Sequence, residues 1–98
     1  MVKILLAEDD KAMNALVATY LRDCGYEIKC CYDGETALDA FATGSYAMVI
    51  SDIMMPKADG FELARGVRAL NASVPILFMS AKDDKPSKML GYRLGIDD

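Results

Sequence analysis

A chain of 98 residues, 27% charged and 53% hydrophobic with only three Pro and seven Gly, describes one globular domain and excludes collagen-like, fibrous and long disordered proteins. Eleven Lys and Arg against fifteen Asp and Glu leave a net charge of −4 with no His, so the domain lacks the basic footprint of a phosphate-backbone binder, and no direct nucleic-acid contact is expected of it. The three Cys (Cys24, Cys30, Cys31) are an odd number with no secretory leader ahead of them, which points to a reducing cytoplasm; zinc is not expected without His or a C-x-x-C spacing, and no apolar run reaches the ~20 residues of a membrane span.

Along the chain, residues 2–7 form a strand-sized apolar run that ends in Glu8, Asp9 and Asp10. The period then changes. Met13, Leu16, Val17, Tyr20, Leu21 and Cys24 recur at helical spacing and predict one apolar helix face, with Gly25 where a left-handed C-terminal cap belongs. Residues 26–31 read as a second strand, on which Cys30 and Cys31 point to opposite faces. Asp33 and Gly34 read as a turn and helix start, followed by a helix with Ala37, Leu38, Phe41 and Ala42 inward and Gly44 at its close.

The run 46–51 is continuously apolar and too short for a helix, the composition of a central strand buried on both faces; Asp52 ends it. Residues 53–59 read as a loop, and Gly60 opens a helix with Leu63, Ala64, Val67 and Leu70 inward. After a connection, residues 76–79 form another buried strand, 80–85 a polar loop, and Pro86 begins a helix to about Leu94. Strands alternating with helices predict right-handed βαβ crossovers: an α/β fold, a doubly wound parallel sheet between two layers of helices. The sequence ends at Asp98 shortly after Ile96 begins another apolar step, leaving an interior-type strand as a candidate sheet edge.

In such a sheet ligands bind beyond the carboxyl ends of the strands, where the strand order reverses. Those ends carry Glu8, Asp9 and Asp10 from the first strand, Asp52 from the third, and Ser80 followed by Ala81 from the fourth. Each residue has a plainer use: one of Asp9 and Asp10 caps a helix, Asp52 sits in a strand-end turn, Ser80 caps a loop, and Met54 packs. A cap needs one acid, however, and carboxylates converging from two strands repel one another unless a cation sits among them. Hard oxygen donors with open positions suit Mg²⁺.

Together, ILLAEDD, VISDIMMPKADG and ILFMSA, with the later SAKDD and LGIDD, resemble the receiver (CheY-like) domain of bacterial two-component response regulators over the whole chain. The resemblance supplies a flavodoxin-like strand order, 2-1-3-4 in this chain. It implies that Asp52 accepts a phosphoryl group from a histidine kinase or phosphotransfer protein, and that Glu8, Asp9, Asp52 and the backbone carbonyl of Met54 hold Mg²⁺. It makes Ser80 and Ala81 the switch positions and Asp10 a helix cap. It further implies an output domain or partner protein that reads the switch.

Receivers continue into a fifth strand and helix bearing an aromatic switch residue and a phosphoryl-pairing Lys. This sequence stops before them, so residues 1–98 are expected to be a receiver domain cut short, which alone would be unstable or take a strand from a second copy as a dimer. Lys82, Lys85 and Lys88 belong to solvated faces and do not fill the vacant role. Two rival readings remain. One is an interaction module that keeps the fold without phosphotransfer; the other is a Mg²⁺-dependent phosphatase with an aspartyl nucleophile, whose usual second Asp, two residues on, is here Met54.

Overall fold

Apolar runs too short for helices become the strands, and an Asp marks the start of each helix between them. The computed structural model describes residues 1–55 and 57–79. It comprises β1 (Lys3–Ala7), α1 (Lys11–Asp23), β2 (Glu27–Cys31), α2 (Gly34–Thr43), β3 (Met48–Asp52), α3 (Gly60–Leu70) and β4 (Ile76–Met79). The strands are parallel in the order β2-β1-β3-β4, the doubly wound arrangement the sequence predicts. The helix expected from Pro86, together with Ser80 and Ala81, lies outside the described residues.

Asp10, Asp33 and Asp59 are the N-caps of α1, α2 and α3, their carboxylates accepting from the amides of Met13, Thr36 and Glu62 at 3.0, 2.7 and 2.9 Å. Each cap satisfies a free N–H of a first turn and is worth about 1 kcal/mol. Gly25, just past the C-cap Cys24, takes φ 99°, the left-handed closure expected there.

Alternation along the strands sorts the core into two layers. Leu5, Ala7, Cys31, Val49 and Ile76 face α2 and α3, packing on Ala37, Phe41, Leu63, Ala64 and Val67. Ile4, Leu6, Ile28 and Ile50 face the other way and pack on Ala18 of α1. Cys31 and the half-buried Cys30 fall into opposite layers, and all three thiols are free.

The face of α1 differs from the periodic stripe. Leu16 and Tyr20 are 66% and 68% exposed and Cys24 is exposed, whereas Asn14 and Ala18 are buried, with Val17 and Leu21 packed beside them. The helix sits close to the sheet, so a small side chain and a hydrogen-bonding one hold the contact line, and the bulkier apolar residues flank it. Ala42 and Leu70 likewise turn outward on α2 and α3.

Candidate functional site

Parallel register brings the acids together. Ala7 pairs with Ser51, so the next residues, Glu8 just past β1 and Asp52 at the end of β3, stand at the same level of the sheet's carboxyl edge. One carboxylate oxygen each from Glu8, Asp9 and Asp52 lie within 4.8 Å of one another. Glu8 is 2% exposed, Asp52 half-buried and Asp9 exposed, so the cluster opens to solvent on one side.

Local bonds fix these groups. The Glu8 amide donates to the Cys31 carbonyl at 3.0 Å, and the Asp10 amide donates to Glu8 Oε2 at 3.1 Å. The Ile53 amide donates to Asp52 Oδ1 at 2.8 Å, and Ser51 Oγ donates to the Asp52 carbonyl at 2.8 Å. Burial pushes the Glu8 carboxyl up to about 7, against the lowering effect of the Asp10 amide, and the negative charge of Asp52 adds to the rise. Three hard oxygen donors within 4.8 Å of one another are the donor set for a small divalent cation, and these residues fit Mg²⁺.

Of the predicted site residues, the structure brings Glu8, Asp9 and Asp52 together. Asp10 is separated from them in role, since its side chain caps α1. Met54 lies in the loop after β3 with its side chain 65% exposed, so the thioether does not pack, while Met55 rests on the core. Ser80 and Ala81 fall outside the described residues.

The reading from sequence missed Asn14. Fully buried, it donates through Nδ2 to the carbonyls of Glu8 and Cys31, at 3.0 Å each, and so ties α1 to the ends of β1 and β2 beside the acids. Its Oδ1 has no hydrogen-bond partner among the described residues. A polar residue in line with Val17, Ala18 and Leu21, one turn after an acidic strand end, is the signal that marks it.

Residues 4–98 match the family described as response regulator receiver domain. The chain is 43% identical over 97 residues to the transcriptional regulatory protein RprY of Bacteroides fragilis, covering 99% of this chain and 41% of RprY. It therefore spans about two fifths of the length of that relative. Among solved structures, the receiver domain of a Francisella response regulator superposes with a TM-score of 0.90 at 33% identity, over 100% of this chain and 81% of that one. Response regulator protein TrrA from Thermotoga maritima, in complex with Mg²⁺-BeF, gives 0.86 at 33% identity over 94% and 80%.

Proposed function

Because the chain belongs to the receiver domains of two-component response regulators, we propose that Asp52 is its phosphoryl acceptor and that Glu8, Asp9, Asp52 and the Met54 backbone carbonyl hold Mg²⁺. The observation that carries this reading is the convergence of three carboxylate oxygens within 4.8 Å at the edge where the strand order reverses. The Mg²⁺-BeF complex of TrrA supports it by similarity.

A carboxylate can serve as nucleophile toward phosphorus, forming the O–P bond of an acyl phosphate as the donor's N–P bond breaks and its imidazole leaves, and a loose phosphoryl-transfer transition state asks mainly for positioning and for positive charge on the transferred oxygens. Bound Mg²⁺ supplies that charge. The residues of the chain do the rest. The Ile53 amide holds Asp52 Oδ1 and so orients the carboxylate, and the Asp10 amide orients Glu8.

Ser80 and Ala81, by their place in the sequence, are proposed as the hydroxyl that meets the phosphoryl group and the small residue beside it. A cytoplasmic histidine kinase or phosphotransfer protein donates the group. Given relatives named as transcriptional regulators, an output domain elsewhere in the protein acts on DNA, and this domain does not touch it.

The test is treatment with a small phosphodonor and Mg²⁺, followed by intact mass. One acid-labile phosphate is expected in the wild type and in Asp10→Asn, and none in Asp52→Asn. Phosphate retained in Asp52→Asn at a different residue would overturn the assignment.

A further inference from the structure

The loop that follows β3 carries the Met54 carbonyl. Its far end returns to the strand: the Gly60 amide donates to the Ile53 carbonyl at 2.7 Å, and a Cβ on Gly60 would meet the Asp52 carbonyl and stand 2.9 Å from Ile53 Cα. Ala58 rests on α2. A Cβ built on Gly34, the buried first residue of that helix, would overlap the Ala58 carbonyl oxygen and lie 2.7 Å from its carbon and 2.8 Å from the Ala58 Cβ. Backbone there cannot move aside as a flexible side-chain end can, so the loop and the first turn of α2 touch with no room for a methyl group.

The neighbouring residues hold the same contact. Lys57 has φ 71°, the left-handed region, and is the one non-glycine residue with positive φ among those described. Its ammonium lies 3.9 Å from Asp33 Oδ2, whose carboxylate also caps α2 through the Thr36 amide. That ion pair, exposed at its Lys57 end, is weak alone. Its significance is that it falls where the backbone contact already pins the loop.

We propose that Gly34 is a positioning residue for the metal site: by seating the Ala58 carbonyl against the start of α2, it sets the path of the loop and hence the place of the Met54 carbonyl. The inference rests on the reading of Met54 as a Mg²⁺ ligand. It assigns to α2, which contributes no acid to the site, control over one ligand of the cation, and the expected size is that of other groups that orient a metal ligand.

Isothermal titration of the full chain with Mg²⁺, paired with thermal unfolding in EDTA, tests it. Gly34→Ala is expected to weaken Mg²⁺ about ten- to a hundredfold, with phosphorylation by a small phosphodonor recovering at saturating Mg²⁺. Ala58→Leu pushes the loop away from its own side without altering α2, and weakens Mg²⁺ likewise; it carries the test if Gly34→Ala does not fold. Gly25→Ala is the control for structural damage, since its φ of 99° disfavours any side chain while nothing stands within 4 Å. It is expected to lower the unfolding temperature and leave the Mg²⁺ affinity unchanged. Wild-type affinity in both Gly34→Ala and Ala58→Leu would overturn the inference while leaving the metal site intact. A wild-type chain that binds no Mg²⁺ would overturn the reading of the site and the inference with it.

Discussion

Burial raises the Glu8 carboxyl from its ordinary 4.5 to about 7, so near neutral pH the folded domain retains a proton that the unfolded chain has given up. The stability this group contributes is fully present below about 4.5 and is lost as pH rises through about 7. A metal needs the carboxylate, so Mg²⁺ affinity moves the opposite way, rising across the same window. Thermal unfolding in EDTA should show the metal-free domain losing stability between pH 5 and 8, and Glu8→Gln should flatten that dependence. Asn14 sets the neighbouring scale. Asn14→Ala removes one donor each from the Glu8 and Cys31 carbonyls, leaving Cys31 only the Glu8 amide, and should cost about 1–3 kcal/mol. Asn14→Asp, which sets acceptors against those carbonyls, should cost more. Denaturant titration of both variants checks the order, and an Asn14→Asp as stable as wild type would mean the two bonds contribute nothing.

Elements, more than single residues, separate what the sequence makes legible from what it hides. β1, β3 and β4 are readable because a strand buried on both faces must be continuously apolar, and the helix starts are readable because Asp10, Asp33 and Asp59 are local signals. Strand ends that carry acid are readable for the same reason. The inward line of α1 is not, since hydrophobic spacing cannot tell a flank from a contact line: Leu16 and Tyr20 complete the period yet are exposed, while Ala18 and a hydrogen-bonded Asn14 are buried, with Val17 and Leu21 at their flank. The seat of the 53–59 loop on Gly34 is equally hidden, because it joins residues far apart in the chain and no local pattern records it. Close approach makes a definite prediction. Ala18→Leu, a gain in helix-forming apolar character by sequence standards, should destabilise by about 1–3 kcal/mol through overpacking against Ile4, Leu6 and Ile28. An unfolding midpoint at or above wild type would show that α1 has room to withdraw.

At the level of the whole molecule, the parallel sheet sends its carboxyl ends to one side, and with them Glu8, Asp9 and Asp52, in a domain that already carries a net charge of −4. Folding therefore brings Asp52 beside Glu8 and Asp9, from which the unfolded chain keeps it apart, and Glu8 is buried as it happens. Without a cation the site opposes the fold, the usual relation between a functional cluster and stability. Asp52→Asn removes one charge while keeping the shape and the oxygen that accepts from the Ile53 amide. In EDTA the variant should unfold about 0.5–2 kcal/mol later than wild type, the range common for relieving such a conflict. With Mg²⁺ at a hundred times its dissociation constant the wild type gains about 2.7 kcal/mol by mass action, whereas the variant, a ligand short, gains less. The two melting curves should therefore converge or change order as Mg²⁺ is added. The same titration in high NaCl should narrow the EDTA difference only in part, because salt screens the exposed Asp9 more than the buried Glu8. An Asp52→Asn variant that melts below wild type in EDTA would mean that hydrogen bonding at the end of β3 outweighs repulsion, and that the cluster is held together by the fold's own contacts with no need of a cation.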